Sequence, residues 1–266
     1  SDQCMGYINF GFSISGVLTC LLRIICMLAW KNEQETNFYS ILLYYSFSTG
    51  IVIASLAVFL RFVAQMAKNE KKIVQERIAS QEEILAETLI ETTIDESKQS
   101  ELQENSKIYR FFLRSMVHTL PYSVLMFLTS FQTFLLFPGM ALGYRMFGLD
   151  NAWNGVILLL VYNVCDAIGR YFSLVRYLYG KLFLTVLIFL RFSFIPTFLI
   201  LFYNKNVEII NNGYFAIINI ALFAFTNGYF VTALYILPSE MYSQQREKEL
   251  VSFMMSFMQS TGGITG

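Results

Sequence analysis

Charged residues are scarce in this sequence. Only 14% of its 266 residues are Asp, Glu, Lys or Arg, whereas soluble domains carry about 25%. Hydrophobic residues make up 55% of the chain, and the mean hydropathy is +0.50. This balance excludes an ordinary soluble domain. A transmembrane β-barrel is excluded as well, because the apolar residues form long continuous runs instead of alternating with polar residues.

Residues that ligate metals or form disulfides are equally few. The four cysteines, Cys4, Cys20, Cys26 and Cys165, show no CxxC spacing, and a cysteine in an apolar run acts as a small hydrophobic residue. His118 is the single histidine and stands near a predicted helix start, a position typical of an interfacial residue. We therefore expect no metal site, no cofactor and no catalytic group. The net charge is zero and no basic patch occurs, so nucleic acid is not an expected partner.

The apolar residues are grouped in blocks that are long enough to cross a bilayer. A bilayer core of about 30 Å needs about 20 helical residues. Six complete blocks have this length and a seventh reaches the end of the sequence: 5–30, 38–66, 111–137, 153–174, 182–203, 214–237 and 250–266. The sequence therefore predicts an all-α polytopic membrane protein with about seven transmembrane helices.

A polar segment separates the second block from the third. Residues 67–107 contain no Gly, Pro or aromatic residue and are rich in Glu, Lys, Gln and Ser, which predicts a long charged loop, partly disordered or a solvated helix. Lys and Arg near the span ends mark the cytoplasmic side. The connections on the loop's side hold Lys68, Lys71, Lys72, Arg77, Lys107, Arg110, Arg114, Arg176, Lys181, Arg246 and Lys248, against Lys31, Arg145 and Lys205 on the other. We expect a cytoplasmic loop over 67–108, two transmembrane helices over 1–66 and a bundle over 109–266.

An acid and a base stand inside the fourth apolar block. Asp166 and Arg170 in YNVCDAIGRY are four residues apart, and Asn163 precedes Asp166 by three, so all three share one face of a helix. One charged side chain at the centre of a spanning helix costs roughly 2.5–3.5 kcal/mol on insertion scales and rarely faces lipid. Two interpretations stay open. The pair neutralises itself and pins two helices together, or it lines a wet cavity and holds a polar ligand.

Further polar residues occur at membrane depth in other blocks. They are Arg23, Arg191, Asn227 and Gln259. Repeated polar side chains at this depth predict a polar cavity among the helices, although a receptor would present them too. Pro196, in RFSFIPTFLI, removes a backbone hydrogen bond and is expected to bend its helix, which serves either gating or packing.

The order of these motifs resembles that of the equilibrative nucleoside transporter family. FPGM, YNVCDAIGRY, LRFSFIP and LFAFTNGYF follow one another at comparable spacing. The opening FGFSISGVLTCLLRI is similar to the family's fifth helix, especially in plant and protozoan members, and REKELVSFMMSFMQSTGGITG is similar to the start of its eleventh and last. The resemblance implies a partial bundle like that of the major facilitator superfamily, with a central site between two halves. Residues 1–66 would then hold family helices five and six, and 109–266 helices seven to eleven, the last of them truncated.

The resemblance also implies roles for individual residues. Asp166 and Arg170 match the family's acid and arginine that act at the substrate, and Asn163 matches a cavity residue one turn earlier. Phe137 matches an aromatic position near the cavity, and Gln259 stands where the last helix approaches it. A carboxylate accepts hydrogen bonds from ribose hydroxyls and a guanidinium donates to oxygens and ring nitrogens, so the pair suits a nucleoside. Structural or gating roles are expected for Gly11, Gly16, Arg23, Pro196 and Asn227.

The implied activity is the movement of nucleosides, or of nucleobases, by alternating access, either facilitative or coupled to protons. The resemblance covers family helices five to eleven, so it implies that helices one to four, which transport needs, lie outside this sequence; this would explain why it begins with SDQC and stops at STGGITG. We expect the protein to be embedded in the lipid bilayer of the plasma membrane. Two alternatives remain: a transporter of another small solute, such as an organic cation or a sugar, and a seven-helix receptor or scaffold. Arg170 disfavours a cationic substrate, because like charges repel in a low-dielectric cavity.

Overall fold

The computed structural model describes residues 2–29, 41–58, 60–61, 64–65, 68, 95–142, 151–174, 180–203 and 213–266. Within these ranges the regular structure is entirely helical. The helices are α1 (Asp2–Ala29), α2 (Ile41–Val58), α3 (Asp95–Leu136), α4 (Gly139–Leu142), α5 (Asn151–Leu174), α6 (Lys181–Arg191), α7 (Phe194–Tyr203), α8 (Gly213–Glu240) and α9 (Gln245–Thr265). The predicted all-α class is confirmed.

Six stretches of the described helices are long and apolar enough to cross a membrane. They are Phe10–Ala29, Ile41–Val58, Ser115–Ala141, Trp153–Leu174, Leu182–Leu201 and Gly213–Glu240. Each coincides with one of the six complete apolar blocks of the sequence, and α9 covers the seventh. The chain is therefore an integral polytopic membrane protein, as predicted.

The third span belongs to a helix that is much longer than its apolar block. α3 comprises 42 residues and begins at Asp95, inside the segment predicted as a charged loop. The helix thus continues through residue 108, where the sequence suggested a boundary. The larger part of the predicted loop, residues 69–94, lies outside the described residues.

The fifth apolar block is interrupted in its middle. α6 ends at Arg191 and α7 begins at Phe194. In a continuous helix the ring of Pro196 would clash with the carbonyl of Phe192, and Pro196 has no N–H to offer it. The two residues between the helices form a turn, and their amide groups bond carbonyls three residues earlier at 3.0 Å. The bend expected at Pro196 is therefore a helix break, and Arg191 lies at its edge.

The described helices form two compact units. In the unit Ile25–Arg110, the span of α2 has no buried residue. In the unit made of Ser1–Ile24 and Phe111–Gly266, α8 is the most buried span, with 17 of its 28 residues buried. One apolar cluster surrounds the N-terminal half of α8 and includes Ile220 and Phe223, while a second surrounds its C-terminal half. A short polar stretch of α8 around Asn227 lies between the two clusters, and this is where the charged residues meet.

Helices α5 and α8 cross in contact at two glycines. A Cβ atom added at Gly228 would fall 2.0 Å from the carbonyl oxygen of Asp166, and one added at Gly169 would fall 2.1 Å from the carbonyl oxygen of Phe225. Only hydrogen fits at these two positions, so the backbones approach as closely as small residues allow. The approach brings Asn227 of α8 beside Asp166 of α5.

We predict that Gly228→Ala destabilises the bundle, because the new methyl group collides with the backbone of Asp166. Overpacking of this kind costs about 1–3 kcal/mol. The expected result is a lower thermal unfolding temperature of the full-length protein purified in detergent.

Gly11→Ala is the matched control for this substitution. A Cβ atom at Gly11 would have no described heavy atom within 4 Å, so alanine there is expected to be neutral or slightly stabilising, by up to about 1 kcal/mol from helix propensity. Equal unfolding temperatures for the two variants would contradict the close approach of α5 and α8.

Candidate functional site

Asp166 and Arg170 form a buried ion pair on α5. The Nε atom of Arg170 donates to Oδ2 of Asp166 at 2.8 Å, and the two residues are 8% and 4% exposed. Because the residues are four apart, the pair forms within one helix turn and needs no second helix to bring its members together. The shared face predicted from the sequence is present.

Two other helices supply hydrogen bonds to the same carboxylate. The hydroxyl of Ser13 on α1 donates to Oδ2 of Asp166, and the amide of Asn227 on α8 donates to Oδ1 at 2.8 Å. Three donors thus surround the carboxylate, one from each of three helices. A buried charge requires such compensation, since an unpaired carboxylate in an apolar medium would be protonated or exposed.

A cavity of about 190 Å³ opens beside this group. Its wall is made of polar and aromatic side chains from α1, α3, α5, α8 and α9. The lining residues are Phe12, Ser13, Ser130, Thr133, Phe134, Tyr162, Asn163, Asp166, Arg170, Asn227, Val231 and Gln259. The Nη1 atom of Arg170 is buried and has no hydrogen-bond partner in the described part of the chain. A buried donor without an internal bond is uncommon in proteins, and it leaves Arg170 with unused hydrogen-bonding capacity beside the cavity.

Of three further residues predicted for the substrate site, two line the cavity. Asn163 lines it, and its amide donates to the Leu159 carbonyl at 2.9 Å. Gln259 lines it from α9, and its Oε1 accepts a hydrogen bond from the Tyr235 hydroxyl at 2.8 Å. Phe137 is not among the lining residues.

The ring of Phe137 is buried against a neighbouring tyrosine. It stacks on the ring of Tyr162 with centroids 3.8 Å apart and planes 8° apart, and its peptide bond to Pro138 is cis. Tyr162, in contrast, lines the cavity. Tyr162 thus provides an aromatic surface in the cavity wall, and Phe137, expected near the cavity, packs against it from behind; a substrate contact of Phe137 stays a prediction. Tyr162 is four residues before Asp166, so the helical period could have found it.

Among the residues with expected structural or gating roles, Gly16 contacts a residue of the cavity wall, whereas Gly11 does not. A Cβ atom at Gly16 would fall 2.3 Å from Oδ1 of Asn163, so Gly16 leaves the space that this cavity residue occupies. Gly11 has no such neighbour in the described chain, and its packing role stays a prediction. Arg23 is half-buried on α1, and Pro196 lies in the first turn of α7.

A second buried arginine lies behind the site. Arg191 is 2% exposed, and its Nη2 atom donates to the Thr133 hydroxyl at 3.0 Å and to Oδ1 of Asn227 at 3.4 Å. Gln132 is fully buried, and its amide nitrogen donates to the Arg191 backbone carbonyl at 2.6 Å. The sequence showed Arg191 and Asn227 as polar residues at membrane depth but did not connect them to Asp166, and it gave no signal for Gln132 or Thr133.

The fold and the site together define a membrane-spanning helical bundle with a buried, charged cavity. The sequence matches the family described as nucleoside transporter over residues 3–266. This is nearly the whole chain, and the protein belongs to the nucleoside transporter family. The family is one of transporters and not of enzymes.

Individual relatives are similar to the chain at low identity. Equilibrative nucleotide transporter 3 of Arabidopsis thaliana is 23% identical over 258 residues, which cover 96% of this chain and 59% of that protein. Equilibrative nucleotide transporter 6 of the same plant is 21% identical over 268 residues, with the same two shares. Equilibrative nucleotide transporter 2 is 26% identical over 176 residues, which cover 64% of this chain. The chain therefore spans 59% of the length of the first two relatives.

We predict that Gln132→Leu destabilises the protein through the helix break. The carbonyl of Arg191 would lose its donor and stay buried, which costs about 1–3 kcal/mol. A lower unfolding temperature in detergent is the expected readout.

Gln245→Leu serves as the control, since the Gln245 amide bonds Glu249 at 3.2 Å on an exposed helix start. Surface changes of this type stay within about 0.5 kcal/mol. An equal effect of the two substitutions would show that Gln132 does not stabilise the break.

Proposed function

We propose that the complete protein moves nucleosides, or nucleobases, across a membrane by facilitative alternating access, without making or breaking a bond. Membership of the nucleoside transporter family supports this proposal. So do the printed names of the relatives, which describe equilibrative nucleotide transporters. The observation that carries the proposal is the buried Asp166–Arg170 pair in the wall of a cavity between helices.

The pair offers one acceptor and one donor side by side. A carboxylate has about four lone-pair positions, and the three donors from Ser13, Arg170 and Asn227 leave one on Oδ1 of Asp166. The unpartnered Nη1 atom of Arg170 is the adjacent donor. A ribose hydroxyl donates and accepts at the same atom, so two neighbouring hydroxyls, or a hydroxyl and a base nitrogen, suit this arrangement.

The aromatic wall suits the other half of such a ligand. Tyr162 lines the cavity and is held in place by its stacked contact with Phe137. A nucleobase has an extended π surface, and stacked aromatic pairs gain about 0.5–1.5 kcal/mol beyond their buried area. We propose that the base lies against Tyr162 while the sugar reaches Asp166 and Arg170.

The cavity in this chain is one side of the proposed site. The relatives are longer than the matched region, which is 59% of their length. Carriers of this kind bind the substrate between two helical halves and move one against the other. We propose that family helices one to four, which the resemblance places outside this sequence, close the cavity opposite Asp166. The break between α6 and α7 near Pro196 is a position where the bundle can bend during this movement.

The orientation follows from the distribution of basic residues. Lys and Arg are concentrated in the connections on the side of residues 67–108, and such an excess marks the cytoplasmic side. We propose that these residues face the cytoplasm and that the protein acts in the plasma membrane. Acidic residues contribute little to this rule, so the many Glu residues of the segment do not reverse the orientation.

The proposal predicts that Asp166→Asn and Arg170→Ala each reduce nucleoside uptake. Hydrogen bonds to charged groups are worth about 1.5–3 kcal/mol, so the uptake rate at low substrate concentration should fall by about 10- to 100-fold. The measurement is uptake of radiolabelled adenosine by cells that express the complete protein, normalised to the amount at the cell surface.

Asn219→Ala is the matched control for these variants. Asn219 is a buried polar residue of α8 that pairs with Thr197 at 3.1 Å and does not line the cavity. Adenosine uptake by the Asn219→Ala variant should stay within about twofold of uptake by the unchanged protein, because a substitution away from the site is not coupled to it. Unchanged uptake in both site variants would overturn the roles of Asp166 and Arg170. Competition by choline but not by adenosine, inosine or hypoxanthine would overturn the substrate class.

A further inference from the structure

Arg191 is a buried cation whose described partners are all neutral. Its Nη1 atom donates to the Thr129 carbonyl at 3.1 Å, and its Nη2 atom donates to the Thr133 hydroxyl at 3.0 Å. The guanidinium carbon lies 4.2 Å from the centre of the Phe223 ring. Within the described residues no carboxylate oxygen is recorded within 4.0 Å of this side chain. The field of the Arg191 charge therefore acts on the dipoles around it without a carboxylate in direct contact.

This field fixes the orientation of the Asn227 side chain. Oδ1 of Asn227 faces the Arg191 guanidinium at 3.4 Å and the Thr133 hydroxyl at 2.7 Å. The opposite end of the amide, Nδ2, then points to Asp166 and donates to it at 2.8 Å. An asparagine amide can bind in two flipped orientations, and the reverse orientation would place its oxygen against a carboxylate and its NH₂ group against a guanidinium.

The backbone of Arg191 is held at the helix break. It is the last residue of α6, and the carbonyl of a helix end lacks an intrahelical partner. The Gln132 amide nitrogen bonds this carbonyl at 2.6 Å, while Gln132 Oε1 lies 3.5 Å from Nη1 of the same arginine. The backbone carbonyl and the guanidinium of Arg191 are thus both bonded to α3. A movement at the break between α6 and α7 that displaced Arg191 would break these bonds.

We infer that Arg191 is a positioning residue of the site: acting through Asn227 and Thr133, it holds the Asp166 carboxylate in the orientation that receives the substrate. This inference rests on the proposed function, and it adds to that function a connection between the break in α6–α7 and the acid on α5. Arg170 lies on the cavity side of Asp166 and supplies a donor to the ligand. Arg191 lies behind the acid and does not line the cavity.

A direct field effect is the alternative to this relay. The Arg191 charge also acts on Asp166 through space, and such an effect does not need the Asn227 amide. The two explanations differ in what Asn227→Leu does. A relay loses the coupling between Arg191 and Asp166 when the amide is removed, whereas a field effect keeps it.

The test is a set of double-mutant cycles in the complete protein. Arg191→Gln and Asn227→Leu should each raise the adenosine concentration for half-maximal uptake by about tenfold, and the double variant by about tenfold instead of a hundredfold, because coupled residues are not additive. The maximal uptake rate per surface molecule should change less than the half-saturating concentration. A residue that only stabilised the fold would change the number of surface molecules and not the half-saturating concentration.

Thr226→Val is the matched control for these substitutions. The Thr226 hydroxyl accepts a hydrogen bond from Nε of the same arginine at 3.3 Å, whereas Asn227 faces Nη2. We expect this variant to leave the half-saturating concentration within about twofold of the unchanged value. An effect as large as that of Arg191→Gln would overturn the inference, because it would show that any loss at Arg191 disturbs the site.

A second measurement separates this inference from the proposed function. The thermal unfolding of the purified complete protein gives the coupling between Arg191→Gln and Asp166→Asn without any substrate. When Asn227 is present, we expect the effects of Arg191→Gln and Asp166→Asn on the unfolding free energy to be coupled. In the Asn227→Leu background, we expect the two effects to be additive. Coupling that persists in that background overturns the relay, whether or not the protein moves nucleosides. Absence of adenosine uptake by the unchanged protein overturns the proposed function, and the unfolding cycle still decides the role of Arg191.

Discussion

The structure depends on one acidic side chain that is buried at membrane depth. Donors from three helices reach Asp166: Ser13 on α1, Arg170 on α5 and Asn227 on α8. Each donor sits on a different element, so the full set of bonds exists only while these helices are together. The same bonds that make the acid tolerable therefore join the helices around the cavity, which supports the structural interpretation of the Asp166–Arg170 pair and is compatible with the ligand-binding role that we propose.

The backbone makes room for this arrangement through small residues. Gly228 and Gly169 let α8 and α5 approach until side chains at neighbouring positions meet, and Gly16 leaves space for Asn163. In a membrane the association of helices gains little from the hydrophobic effect, since lipid is as apolar as the protein interior. Close packing at glycines and hydrogen bonds between polar side chains stabilise the association of the helices instead. A bulkier residue at Gly228 would thus act on packing and on the site together.

The six spans and the positions of Asp166 and Arg170 on α5 could be predicted from the sequence. The partners that other helices supply to Asp166 could not. Apolar blocks and the helical period are local properties, so they located the six spans and put Asp166 and Arg170 on one face. The partners Ser13 and Thr133 carry no signal, because serine and threonine in membrane helices mostly bond their own backbone, as Thr129 does to the Leu125 carbonyl at 2.8 Å. Which helix faces which is a tertiary property, and it decided that Tyr162 lines the cavity while Phe137 lies behind it.

The described hydrogen-bond partners of Arg191 are all neutral. A second carboxylate beside Arg191 would place a like charge near Asp166, with only Asn227 between them, and like charges repel strongly in a low-dielectric layer. Carbonyl groups, hydroxyl groups and the face of the Phe223 ring stabilise a guanidinium without that conflict. Asp166 then remains the only carboxylate that lines the described cavity. A site with one acid, an adjacent donor on Arg170 and an aromatic wall offers hydrogen bonds and a stacking surface, and this chemistry supports the neutral sugar–base ligand that we propose.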